Sequence, residues 1–176
     1  GKIYFFFFLH PDRIIHNDSI WNISSSDIFG NSERLVINGL SLYNDSQSLK
    51  INGTAGKEKN DTLKIEVKNL ELATIFNFIK FNALRFNGDA TGEAYVTSAM
   101  EEPDAKGLFE INRFRINGND MGSANAGIGW DSNSKSIIID TEINGISGTS
   151  RANGFLSQAN DTIELLLKGK QTGENL

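Results

Sequence analysis

The chain has 176 residues, enough for one domain that buries roughly 70% of its unfolded surface. Its 17 Lys and Arg against 22 Asp and Glu leave a net charge of −5, so no basic field is present to hold a nucleic-acid backbone or an anionic membrane surface. The absence of cysteine excludes disulfides, zinc-thiolate sites and cysteine nucleophiles.

At the start of the chain, the run from Ile3 to Leu9 (IYFFFFL) is far shorter than the roughly 20 residues that span a bilayer. No small-residue cleavage site follows it, so it is not a signal peptide either, and the chain is expected to be a piece of a longer protein. If the run is a strand, Phe5 to Phe8 point to both faces. Both faces are then expected to be covered, or one to meet a ligand or a further structural unit; the plainer alternative is an ordinary core strand. Pro11 and Pro103 sit in polar stretches that read as loops.

From residue 47 onward the dominant signal is alternation with a period of two. Leu49, Ile51 and Ala55 alternate with polar residues, and so do Leu63, Ile65 and Val67, with Thr62, Lys64, Glu66 and Lys68 between them. One segment breaks the period: Leu72, Ile75, Phe76 and Ile79 fall at i, i+3, i+4 and i+7, which predicts a short helix near residues 72 to 80, packed against or plugging one end of a sheet. Alternation returns at Ile137, Ile139 and Ile143, and again at Ile163, Leu165 and Leu167. Asn-Gly occurs six times, at residues 38, 52, 87, 117, 144 and 153, where tolerance of positive φ suits tight turns and bulges. The predicted class is mainly antiparallel β with one short helix.

The chain also repeats itself. INGTAGKEKNDTLKI (51–65) and ANGFLSQANDTIELL (152–166) place Asn60-Asp61-Thr62 and Asn160-Asp161-Thr162 one hundred residues apart, with Lys68 and Lys168 at the same offset. Equivalent hairpins in successive copies of one unit are expected, in approximate repeats over 1–100 and 101–176, the second incomplete. Two convergent hairpins are the simpler explanation, since Asn-Asp-Thr is ordinary turn chemistry.

The order DSIWNI (18–23), QSLKING (47–53), NDTLKIEVKNLEL (60–72), short helix, and then FEINRFRINGNDMGSANAGIGWDSNSKSIIIDTEI (109–143) with Trp130-Asp131 and Ile137 to Ile139, resembles the TamB-like translocation and assembly module proteins of Bacteroidetes, of the AsmA/TamB envelope type. The resemblance covers nearly the whole chain and rests on pattern, without a catalytic motif. It implies a non-enzymatic, cofactor-free periplasmic segment of a longer protein anchored in the inner membrane. The implied sheet curls into a half-pipe groove with an apolar interior. Phospholipid acyl chains, unfolded outer-membrane proteins or both are the implied cargo, and a barrel-type outer-membrane insertase the implied partner of the full-length protein. Under that reading Leu49, Ile51, Leu63, Ile65, Val67, Ile163, Leu165 and Leu167 line the groove while their polar neighbours face water. The excess of 12 Phe over 3 Tyr and 2 Trp suits an apolar interior or an acyl-chain surface, because Phe has no hydrogen-bonding tip.

Other chemistries find less support. His10 and His16 with Asp12 and Asp18 suggest a metal or acid-base pair, but no motif accompanies them and solvated loop histidines are the simpler reading. Glu101, Glu102 and Asp104 lack the ligand spacing of a calcium loop. The six Asn-x-Ser/Thr triplets, at Asn17, Asn22, Asn44, Asn52, Asn60 and Asn160, read as turns. A carbohydrate-binding or adhesin-like extracellular β-domain is the alternative function; it needs an exposed aromatic platform, whereas Trp21 and Trp130 each sit inside an apolar strand pattern.

Overall fold

A computed structural model describes residues 3–16, 19–78, 84–146, 148–159, 162–165 and 168–172. The chain is mainly antiparallel β with one short helix, the class that the alternation predicts. The strands are β1 (Phe5–Leu9), β2 (Asp12–His16), β3 (Ser19–Ile23), β4 (Ser26–Asn31), β5 (Arg34–Asn44), β6 (Gln47–Gly56), β7 (Thr62–Glu71), β8 (Phe86–Thr97), β9 (Asp104–Ile116), β10 (Asn119–Asp131), β11 (Ser136–Gly145), β12 (Gly148–Ala159), β13 (Thr162–Leu165) and β14 (Lys168–Thr172); the helix α1 (Leu72–Phe78) follows β7. Hydrogen-bonded neighbours run β1-β4-β5-β6-β7-β8-β9-β10-β11-β12-β13, with β2 paired to β3, β3 also to β5, and β14 to β12. Among the described residues no pairing joins β1 to β13, so the order is open. Residues 1–69 with 93–105 form one compact unit, and residues 70–92 with 106–176 a second.

In the first unit, cross-strand partners carry the alternation from strand to strand. Ile28, Ile37 and Gly53 stand opposite one another in turn, and Gly53 opposes Leu63. The next rows are Leu40–Ile51–Ile65 and Leu42–Leu49–Val67. Opposed residues in an antiparallel ladder share a face, so these side chains form one apolar surface. Ile37 and Leu40 are three residues apart yet lie on that same face, because Asn38-Gly39 forms a bulge in β5. The bulge is matched in the next two strands. β4 and β3 pair with β5 in one register (Asp27↔Asn38, Ile23↔Leu42), and so do β1 and β2 with β4 and β3 (Leu9↔Ser26, Asp12↔Ile23). The steps His10-Pro11 and Ser24-Ser25 therefore stand opposite each other, and with the nearby Asn38-Gly39 bulge they form a crease. Ser24 fastens it: its N–H donates to Ser41 O at 2.8 Å, its hydroxyl donates to Gly39 O at 2.9 Å, and the Ser41 N–H donates to the Ser24 hydroxyl at 3.0 Å. Pro11, expected in a loop, sits in this crease between two collinear strands.

In the second unit the corresponding rows are Ile111–Ala124–Ile143, Phe109–Ala126–Thr141 and Gly107–Ile128–Ile139, with Trp130 opposite Ile137. α1 follows the predicted face: Leu72 is buried, and the Phe76 ring lies 4.8 Å from Phe86, which stacks on Phe114 at 6.3 Å. Phe86, Ile111, Phe114, Ala124 and Ile143 are buried, whereas Ile128, Trp130, Ile137 and Ile139 are half-buried. The helix thus closes one end of the apolar face of its own unit. Ile79 lies outside the described residues.

Four of the six Asn-Gly steps show two uses. Asn117-Gly118 makes the β9–β10 turn with φ of 51° and 84°, whereas Gly39, Gly53 and Gly88 carry positive φ inside strands. The two Asn-Asp-Thr hairpins differ in length. β6 runs on to Gly56 because it pairs there with Arg34 of β5, so residues 57–61 must bridge to β7, while Ala159 already opposes Thr162. Asn160 and Asp161 lie outside the described residues. Lys68 lies within β7, whereas Lys168 opens β14; β13 and β14 keep one register along β12 (Leu156↔Leu165, Asn153↔Lys168).

Candidate apolar binding face

Five of the expected lining residues come together in the first unit. Leu49, Ile51, Leu63, Ile65 and Val67 lie on one face of the β6–β7 pair, with Val67 buried and the other four half-buried. Ile163 and Leu165 belong to β13 in the second unit, where Ile163 opposes Gln158, and Leu167 lies outside the described residues. The same face gains residues that the alternation did not single out: Leu35, Ile37, Leu40 and Leu42 from β5, Ile28 from β4, and Phe5, Phe7 and Leu9 from β1. In LVINGLSL a strict period of two fails at Asn38-Gly39; treating that step as a bulge restores it and identifies all four β5 residues.

The reverse face of β6 and β7 is charged. Lys50 opposes Glu66, and Lys64 reaches Glu66 at 3.2 Å and Glu93 at 2.9 Å while lying over the Tyr95 ring. Glu93, assisted by Glu66, holds the Lys64 ammonium well above its ordinary pKa, and Lys64 in turn holds the Glu93 carboxyl below the usual range. Such a partition leaves one side of the sheet wet and the other apolar.

The connection at residues 57–61 is anchored by Asp61, whose side chain is 7% exposed. Its carboxylate accepts Arg34 Nε–H at 3.1 Å and the Glu58 N–H at 3.3 Å, and Ser98 ties the loop through the Lys57 carbonyl at 2.7 Å. This cluster is fully occupied by structural bonds. The His10 ring packs edge-on against Phe8 at 4.7 Å, and the Asp12 carboxylate accepts the Arg13 N–H at 2.7 Å. Asp18 lies outside the described residues, among which no group of three His, Cys, Asp or Glu side chains is arranged to hold a metal ion. Trp21 and Trp130 are both half-buried, opposite Ile14 and Ile137. No helix among the described residues is long and apolar enough to cross a membrane. In comparisons with known proteins, the chain matches no family model, no curated protein and no solved structure.

Proposed function

We propose that this chain is a non-enzymatic segment of a TamB-like cell-envelope protein, working in the periplasm as part of a longer chain anchored in the inner membrane. Its apolar face carries phospholipid acyl chains, or the apolar side chains of unfolded outer-membrane proteins, toward a barrel-type insertase bound by the whole protein. One observation carries the reading: the rows Ile28–Ile37–Gly53–Leu63, Leu40–Ile51–Ile65 and Leu42–Leu49–Val67 form an apolar surface over four strands of the first unit whose residues are mostly half-buried. An ordinary core would bury them fully. Each buried methylene of an acyl chain contributes about 0.8 kcal/mol, so ten carbons laid along such rows bind without a specific polar contact. Selectivity among acyl chains is correspondingly low.

The test is photocrosslinking in the intact envelope protein, with a photoreactive residue at position 65 on the apolar face and at position 66 on the charged face. Phospholipid or outer-membrane-protein adducts at 65 and not at 66 are expected, and the identity of the adduct separates the two cargoes. Adducts at neither position, or equally at both, overturn the reading.

A further inference from the structure

In the second unit a hollow of about 420 Å³ opens between α1 and the start of β8. That volume falls within the roughly 300–1,000 Å³ of small-molecule sites. Its walls are apolar. Phe86 is buried, Ala73, Phe76 and Leu84 are half-buried, and the Phe76 and Phe86 rings lie 4.8 Å apart as one continuous surface. Ala73 brings only a methyl group to a space that a larger side chain would fill, so the hollow is written into the helix sequence. Arg85 and Asn77 also line it and are exposed, which marks the open side.

Among the described residues that line the hollow, Arg85 alone is charged. No described carboxylate forms an ion pair with it, although the chain as a whole carries a net charge of −5. Its backbone is clamped from the β9–β10 turn. The Arg85 N–H donates to Asn117 Oδ1 at 3.0 Å, and the Arg85 carbonyl accepts the Asn117 N–H at 2.8 Å. The residue is thus held at the rim by its main chain, and the guanidinium keeps its donors for something else. A guanidinium fork matches a carboxylate or a phosphate with two parallel hydrogen bonds, and the carboxamide of Asn77 adds a neutral donor on the same open side. Apolar walls below a lone cation call for a ligand with a hydrocarbon body and an anionic end, and a slot between one helix and one strand admits a single chain.

We propose that this hollow is a discrete site for a single-chain anionic amphiphile, its unbranched chain against Ala73, Phe76, Leu84 and Phe86 and its terminal carboxylate or phosphate on the Arg85 guanidinium. The site differs from the open rows of the first unit in taking one ligand and in reading its headgroup. The inference rests on the hollow alone and holds whether or not those rows carry cargo.

Isothermal titration calorimetry of the chain with dodecanoate and with dodecyl phosphate, each below its micellar concentration, is expected to show one saturable site, and the tighter of the two names the headgroup. Dodecanol, with the same chain and no charge, is expected to bind at least about tenfold more weakly, because it loses a charge-assisted hydrogen bond. Inorganic phosphate, with charge and no chain, is expected to give no measurable binding. Arg85→Gln is expected to bring dodecanoate down to the affinity of dodecanol, and Arg85→Lys to recover part of the loss. Both variants keep the fold, since the side chain is exposed and the bonds to Asn117 use only the Arg85 backbone; an unchanged far-UV circular dichroism spectrum checks this. Ala73→Phe fills the hollow and is expected to abolish binding of all three amphiphiles. Absence of saturable binding by either anion, equal affinity for dodecanoate and dodecanol, or an affinity for dodecanoate that Arg85→Gln leaves intact overturns the proposal. Full-strength binding to Ala73→Phe does the same.

Discussion

Asp61 shows how much a single residue can hold. Its backbone N–H donates to Glu58 O at 2.9 Å, its carbonyl accepts the Ser98 N–H at 3.1 Å, and its carboxylate joins Arg34 to the 57–61 connection. Asp61→Ala leaves the Glu58 N–H without its acceptor and is expected to cost about 1–3 kcal/mol, read as a lower urea midpoint at constant m. Arg34→Ala is expected to cost less, because that side chain is 59% exposed and water replaces the lost contact. The sequence marks Asn60-Asp61-Thr62 as a turn but says nothing of this burial, because the partners of Asp61 come from residues 34 and 98 and only the folded sheet brings them near. Gly53 is similarly constrained: at φ +116° an added Cβ would lie 2.2 Å from the Thr62 carbonyl oxygen. Gly53→Ala is expected to destabilise by more than about 1 kcal/mol, by backbone strain and by forcing β6 from β7, and a thermal melt measures it.

At the scale of elements, the strands and α1 were legible from periodicity because each is written in local spacing: 63, 65, 67 for a strand, 72, 75, 76 for a helix face. The joins were less legible. Asn-Gly supports both a two-residue turn and an in-strand bulge, and which one forms depends on whether a neighbouring strand continues alongside; β6 continues past Gly39, so Asn38-Gly39 becomes a bulge, while at Asn117-Gly118 the chain turns back on itself and Asn119 opposes Ile116. β5 supplied the largest omission from the apolar face for this reason. Ile65→Arg tests whether that face carries cargo. Its side chain stands beside Ile51 on the apolar face, so the variant is expected to keep the β-type circular dichroism spectrum while lowering phospholipid adducts from a photoreactive residue at position 51 at least several-fold, since a charge among hydrocarbon is costly.

For the whole molecule, acid is the weak side. The Glu93 carboxyl is held low chiefly by its bond with Lys64, and that of Asp131 chiefly by the Ser134 hydroxyl and the Asn133 N–H. A depressed folded pKa contributes stability that is present above the unfolded value and is lost as pH falls through the folded one. Lys64 behaves in the opposite sense: raised above its ordinary value, it contributes fully through neutral pH and only strongly alkaline solution removes that contribution. The melting temperature is therefore expected to be level near neutrality and to fall below about pH 4, with a shallower fall in the Glu93→Gln, Asp131→Asn double variant.

The crease through His10-Pro11, Ser24-Ser25 and Asn38-Gly39 also governs how the gene for this region can change length. Each of the three lines of chain, β1–β2, β3–β4 and β5, holds one residue more than the regular ladder of β6 requires, and the three surpluses lie close together. Deleting Gly39 alone makes β5 commensurate with β6 but puts it out of step with the strand beside it, so the single deletion is expected to lower the urea midpoint. Removing Pro11, Ser25 and Gly39 together brings every strand back into step and is expected to recover much of that loss. Insertions and deletions here are expected to be tolerated as a matched set of three, one per line of chain, and to be harmful one at a time.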